Sequence, residues 1–281
     1  MSEVSRPGAE QLAERNRQTA ANWDCFASHR QRLQTLLASQ ASAKHQTLCL
    51  LGAGNCNDLD LRWLCERFKR VTLVDLDLAA MEAGVSRQLG RPPANLKLAA
   101  LDLTGVLAEL ASVSRPATDE QCHAIELVCE RLPAVERLTA TYDVVVSSCV
   151  LSQIVESLTQ GVGEAHRRFL PLIQALRRQH LRTLIGLTAP GGRSILVTDF
   201  VSSVTAGDMA AVPERQLRAY AERLLAQRNF FSGLNPMVLQ QTFEEALRHA
   251  GRPSRVQVTS PWRWDLGPRL YLVTALTAQP S

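Results

Sequence analysis

The sequence predicts an α/β fold on a mainly parallel sheet, and three observations carry that reading. Short apolar runs of strand length recur through residues 45–200. The stretches between them show apolar residues at helical spacing. The first run breaks into a glycine turn, as a strand feeding a crossover helix does. At 281 residues the length suits one large domain with helical additions rather than two domains, and it allows a sizeable core.

Along the chain, residues 9–40 read as one or two helices, with Trp23, Phe26, His29, Leu33 and Leu36-Leu37 recurring at three and four. Leu48-Cys49-Leu50-Leu51 is the first strand, apolar throughout as a strand covered on both faces must be. Gly52-Ala53-Gly54 follows, where the missing side chains let the backbone turn sharply and approach a ligand closely. The second strand, Val71-Thr72-Leu73-Val74, ends in Asp75, with Leu76 next. A carboxylate at that strand end, about twenty residues past the glycines, suits a pair of ribose hydroxyls. The third glycine of a dinucleotide loop would fall at Asn57, so a pyrophosphate ligand is disfavoured and a ribose-bearing ligand without one fits better.

A third apolar run from Leu96 reaches Asp102 and Leu103, and a fourth follows Tyr142-Asp143 to Ser147-Ser148-Cys149. Pro190-Gly191-Gly192 gives a turn before a fifth strand that ends in Asp199. Residues 105–139 read as a helical insertion that starts a helix near Pro116 and Thr118-Asp119. In the second insertion, 202–236, Pro213 opens a helical pattern through Leu217, Tyr220 and Leu224-Leu225. A helix from about Met237 to His249 follows. Two alternating strands, 255–260 and 269–276, then flank a turn at 261–268.

Composition excludes several classes. The net charge is +4 and the basic residues are dispersed, so no electrostatic footprint for nucleic acid is present. Arg167-Arg168 and Arg177-Arg178 read as solvated helix faces, with His166 and His180 flanking them on the surface. Only Lys44, Lys69 and Lys97 among the 31 basic residues are lysine, an arginine bias that points to a GC-rich bacterial source. The 7 cysteines have no zinc-site spacing, several lie in apolar runs, and a reduced cytoplasmic setting follows. The first residues carry no apolar signal core, and no apolar run is long enough for a membrane span.

The glycine loop, Asp75 at the second strand, Asp102 after the third, the Tyr142-Asp143 start of the fourth and the Pro190-Gly191-Gly192 turn stand in the order that resembles the class I S-adenosylmethionine-dependent methyltransferases. The likeness covers residues 45–200 and the final hairpin. It implies a three-layer sandwich on a seven-stranded sheet, order 3-2-1-4-5-7-6, with strand 7 antiparallel. Residues 1–44 would form an amino-terminal helical extension or lid, and 45–281 the methyltransferase domain. The implied cofactor is S-adenosyl-L-methionine. Gly52, Ala53 and Gly54 would pass under its methionine part, Asp75 and Leu76 would meet the ribose, Asp102 and Leu103 the adenine, and the Ser147-Ser148 backbone the sulfonium. The acidic residue usual two positions before the first glycine is Leu50 here, and Asp58 or Asn55 takes its place.

Methyl transfer from a sulfonium needs alignment and exclusion of water more than a base. Asp199 is the candidate to contact the acceptor or take its proton, and Gln153 stands where a histidine is common in small-molecule members and can orient an acceptor. His29, Tyr220, Phe231 and Trp264 are candidate walls of an acceptor pocket, which suits a small, partly apolar molecule. Leu50 and Gln153 keep open a protein that has the fold and binds without transferring, and an RNA or protein acceptor stays as a further alternative.

Overall fold

The structure is a computed structural model describing residues 8–279 apart from 41, 43, 45 and 115, so the first seven residues of the expected extension lie outside the described residues. Helices α1 (Gly8–Thr19) and α2 (Ala27–Gln40) precede β1 (Thr47–Leu51), α3 (Leu61–Arg67), β2 (Arg70–Asp75), α4 (Leu78–Leu89) and β3 (Leu96–Ala100). Helices α5 (Leu107–Ser112), α6 (Asp119–Cys129) and α7 (Pro133–Leu138) lead to β4 (Tyr142–Ser148), α8 (Val150–Val162), α9 (Phe169–Leu187) and β5 (Thr188–Ser202). After two short 3-10 turns come α10 (Leu217–Ala226), α11 (Pro236–His249), β6 (Gln257–Val258), β7 (Trp262–Asp265) and β8 (Leu270–Ala278).

The sheet runs β3-β2-β1-β4-β5-β8-β6, with β7 also paired to β8. Strands β3 to β5 are parallel and β8 is antiparallel to β5. This is the expected order, with the last strand now the eighth. Alternate residues of the central strands feed two cores. Leu48, Leu50, Val144, Val146, Ile195 and Val197 pack under Leu33 and Leu37 of α2 and Met81 of α4. Cys49, Leu51, Val145 and Leu196 face the opposite core with Leu172 and Leu176 of α9 and Phe243 of α11. Helix starts follow local chemistry: Asp60 caps α3, Asp77 caps α4, Thr118 and Gln121 form a capping box on α6, and Asn235 caps α11 ahead of Pro236.

Three expectations change. The turn expected at 261–268 is shorter, because Trp262–Asp265 alternates like a strand and pairs with β8 from Leu270 to Val273. Pro261, which has no N–H to give, separates this strand from β6, and the reversal is confined to Leu266–Arg269, where Leu266 N–H donates to the Arg269 carbonyl at 2.9 Å. The Pro190-Gly191-Gly192 turn is an irregularity inside β5, with the register to β4 shifting between Tyr142 and Val144. Arg177 and His180 are buried rather than solvated: α9 is covered on nearly every side, and Arg177 donates to the Gly233 carbonyl at 3.0 Å.

Two glycines set the distances around the β1 turn. At Gly52, φ is +84°, and a Cβ would collide with Val150 at the start of α8. Gly84 on α4 lies against the Asn55 carbonyl, so a Cβ there would collide with backbone. Close helix packing on this loop is therefore supplied from α4, while Asn57 occupies the loop position itself. Gly84→Ala is expected to lower stability by on the order of 1–2 kcal/mol, the overpacking cost exceeding alanine's better helix propensity. Urea unfolding checks it, and a variant as stable as wild type would show that α4 does not need this approach.

Candidate active site

The carboxyl ends of β1, β2, β4 and β5 meet at one edge of the sheet, where open α/β sheets bind ligands. The loop 52–58 lies across it. Asp75, at the end of β2, accepts the Gly54 N–H on Oδ2 at 2.8 Å and the Asp77 N–H on Oδ1 at 3.0 Å. Burial pushes its carboxyl up, and the backbone N–H bonds pull it back only partly. The other loop groups are pinned from outside. Arg87 of α4 donates to the Asn55 carbonyl at 2.8 Å and to Asn57 Oδ1 at 2.7 Å, Gln88 to the Cys56 carbonyl at 2.8 Å, and Arg30 of α2 to the Asn57 carbonyl at 2.6 Å.

Helix α1 lies over this loop. The Asn55 amide donates to the Asn16 carbonyl at 2.5 Å, and the Asn57 amide to the Thr19 carbonyl at 2.7 Å, so both satisfy carbonyls at the α1 terminus. Asn16 donates to Asp77 Oδ2 at 3.2 Å. Helix α2 instead packs on the sheet through His29, Leu33 and Leu37. The amino-terminal helices thus both cover the loop and buttress the sheet.

Two further carboxyl groups stand at the ends of β4 and β5. Asp58 accepts the Ser148 hydroxyl at 2.6 Å. Asp199 Oδ1 lies 2.5 Å from the Ser152 hydroxyl of α8, and the Cys149 thiol also bonds to this carboxyl. Cys149 turns the chain from β4 into α8 at φ +51°, a left-handed conformation uncommon for a side chain of its type. Burial raises both carboxyl groups to about 6, with the serine bonds opposing it.

The acceptor candidates gather beside Asp199 in part. Across the sheet, Asp199 pairs in register with Val273, and Tyr271 with Trp264. Trp264 packs 5.7 Å from Tyr271 between ring centroids, His29 stacks on it at 4.4 Å, Phe26 meets it edge-on at 5.2 Å, and Phe231 lies 6.4 Å from Tyr271. Burial lowers His29 to about 3, so it is neutral; its Nδ1 accepts the Trp262 indole N–H at 3.1 Å. Tyr220 belongs to the other core and donates its hydroxyl to Asp208 at 2.5 Å. Gln153 is exposed on α8.

The remaining candidates divide by what their polar atoms do. Asp102 Oδ1 accepts from the Thr104 and Gly105 N–H groups, each at 2.9 Å, and Leu103 is buried beside it. Ser147 turns its hydroxyl to His180 Nε2 at 2.7 Å, which leaves only its backbone at the strand end. Gly52, Ala53 and Leu76 lie on the turn and on the end of β2. Sequence reading missed Asn16, Ser152 and Tyr271. Ser152 sits one turn into the helix after the fourth strand, and Tyr271 faces Trp264 once the hairpin register is known, so register was the missing signal.

No protein-family model and no curated protein matches the chain. Solved structures do resemble it. The N-methyltransferase NodS from Bradyrhizobium japonicum WM9 in complex with S-adenosyl-l-homocysteine is 13% identical, with 90% of this chain and 86% of that one covered and a TM-score of 0.42. Magnesium protoporphyrin IX methyltransferase from Synechocystis PCC 6803 with bound SAH is 14% identical, with 90% and 83% covered and a TM-score of 0.44. At such identity and superposition, the grounds for function remain the strand order and the loop geometry.

Asp199 makes its electrostatic cost measurable. The folded carboxyl ionises near 6 against an ordinary 3.8, so the folded chain keeps the proton through that window and stability falls as pH rises across it. Asp199→Asn removes the buried charge. The variant is expected to be more stable than wild type at pH 8 by on the order of 2–3 kcal/mol, shrinking to less than about 1 kcal/mol at pH 4. Urea titrations at the two pH values decide it, and a loss of stability at pH 8 would overturn the assignment.

Proposed function

We propose that the chain is an S-adenosylmethionine-dependent methyltransferase acting on a small molecule. The observation that carries this reading is Asp75, placed by the end of β2 directly against the Gly54 N–H in a sheet of order 3-2-1-4-5-8-6. The Gly54 and Asp77 N–H groups meet different oxygens, Leu76 N–H also acts on the carboxyl, and a carboxylate has about four acceptor sites, so a ribose diol fits it. Leu50 is wholly buried in the core and leaves no place for a carboxylate there. Asp58 takes that role: its carboxyl stands at the end of β4 with one oxygen on Ser148 and the other available for an ammonium group. Asn55 is committed to α1 through its side chain and contributes backbone only.

Gly52 to Gly54 would run beneath the methionine part, Leu76 beside the ribose, and Leu103 beside the adenine, with Asp102 Oδ2, which also accepts the Leu107 N–H at 3.4 Å, near its amino group. The backbone of Ser147 and Ser148 would border the sulfur. When bound, the cofactor supplies a methyl group already activated by the sulfonium charge. The chain's own residues then align the acceptor and exclude water, and alignment alone is worth on the order of 7–11 kcal/mol. Asp199, held by Ser152 and Cys149, orients the acceptor nucleophile and receives its proton.

A small acceptor is supported by the aromatic wall beside Asp199 and by the dispersed basic charge. A cytoplasmic setting belongs to the same reading: the seven cysteines are free, and among the described residues no helix is long and apolar enough to cross a membrane. The second reading, binding without transfer, draws on the exposure of Gln153, the residue expected to orient an acceptor.

Calorimetric titration with S-adenosylhomocysteine tests the cofactor assignment. Asp75→Ala is expected to weaken binding by about 1.5–3 kcal/mol, roughly 10- to 150-fold, because two hydroxyls lose a charged acceptor. A folded variant with wild-type affinity would refute the site. Thermal shift separates ligand classes: stabilisation by S-adenosylmethionine but not by NAD is the expected result.

A further inference from the structure

The acceptor end of the cleft joins one carboxyl group to a wall of aromatic rings. Asp199 is 7% exposed, and its polar contacts are the Ser152 hydroxyl and the Cys149 thiol. Among the described residues no arginine, lysine or histidine forms an ion pair with it. Glu156, another anion, also acts on it and is itself paired with Arg15 at 2.6 Å. Tyr271 feels the Asp199 charge, and its hydroxyl is engaged by Arg269, so the ring rather than the hydroxyl is what it offers. Trp264 lies against it in the neighbouring strand.

Resting on the methyltransferase reading, we propose that the methyl acceptor is a basic amine on an apolar body, its nitrogen held by Asp199 and its body against Tyr271 and Trp264. A carboxylate with no ion pair among the described residues, near the ring of Tyr271, is the chemistry that holds an ammonium group. A carboxylic acid would meet the like charge of Asp199. An alcohol would donate one hydrogen bond to Asp199 but would bring no positive charge to neutralise it and gain no cation–π attraction. The body meets two further donors. With Nδ1 of His29 accepting from Trp262, its proton is on Nε2, and this N–H and the Trp264 indole N–H are both buried without a partner. A carbonyl or ether oxygen on the amine's body would satisfy one of them.

The step balances without another reactant. The ammonium gives one proton to the Asp199 carboxylate, and the freed nitrogen lone pair forms the N–CH3 bond. The S–CH3 bond breaks, and its electron pair stays on sulfur, which becomes a neutral thioether. The product amine leaves as the methylammonium.

The test is calorimetry on the full chain loaded with S-adenosylhomocysteine, using phenethylamine, 2-phenylethanol and phenylacetate as matched probes. The amine should bind at least tenfold more tightly than the alcohol, and the acid should not bind measurably. Asp199→Asn should weaken the amine tenfold or more and the alcohol by a clearly smaller factor. Tyr271→Leu, which leaves the carboxyl group in place, should also weaken the amine more than the alcohol. Equal or tighter binding of the alcohol or acid, no binding of any probe at 10 mM, or unchanged amine affinity in folded Asp199→Asn would overturn the proposal. Failure of wild type to bind S-adenosylhomocysteine would overturn the cofactor reading instead, and the same ranking on unloaded protein then decides the amine pocket.

Discussion

The contact on which the site depends is the Asp75 carboxylate against the Gly54 N–H. It ties the turn after β1 to the end of β2 and places that carboxylate directly beside the glycine backbone. A seven-residue loop with two glycines would sample many conformations alone, and each ordered residue costs about 1–2 kcal/mol of backbone entropy. Here its carbonyls are met by Arg30, Arg87 and Gln88, and its two asparagines hold the end of α1. The loop is thus preformed by groups from three helices before a ligand arrives. Gly84 completes the clamp from α4, because only a residue without Cβ lets the helix reach the Asn55 carbonyl.

The carboxyl groups around this loop illustrate a trade between stability and function. Asp58 and Asp199 are withdrawn from water, each on a serine hydroxyl, and both ionise near 6, the Arg30 charge offsetting only part of the burial at Asp58. Purely structural carboxylates in this chain are treated differently. Asp143, for instance, accepts from the Gln46 and Thr47 N–H groups, each at 2.8 Å, which ties β4 to β1. A carboxylate with spare acceptor capacity in a desolvated corner destabilises the empty fold and favours a ligand that brings the missing positive charge. The left-handed Cys149 serves the same end, since it swings α8 so that Ser152 reaches Asp199.

The carboxyl-terminal hairpin shows how sheet register builds a wall. β8 is inserted between β5 and the β6–β7 edge, so Asp199, Val273 and Trp262 come into line, with Tyr271 and Trp264 one pleat further on. Side chains two apart share a face. All of these therefore stand on the side covered by α2, and His29 and Phe26 close over them.

The sequence alone determined the five apolar runs, the glycine turn, Asp75 and the helices over 9–40 and from Thr118, Pro213 and Met237, because each leaves a local mark: an apolar run, a cap, a glycine or a strand-end carboxylate; the sheet order came from the family resemblance. Position along a strand also made Asp199 legible. What only the tertiary structure decided were partners distant in sequence. Asn55 looks like a loop residue ready for a ligand until α1 lays its terminal carbonyls upon it and upon Asn57. Tyr220 reads as a pocket aromatic but falls on the far face of the sheet, while Tyr271 falls beside Trp264. Trp262 and Trp264 read as a turn because Pro261 and Pro268 bracket them, yet backbone pairing with β8 outweighs that local signal. Local pattern reports whether a residue is in a strand or helix and which neighbours share its face; which distant element comes to cover that face is fixed by register and packing.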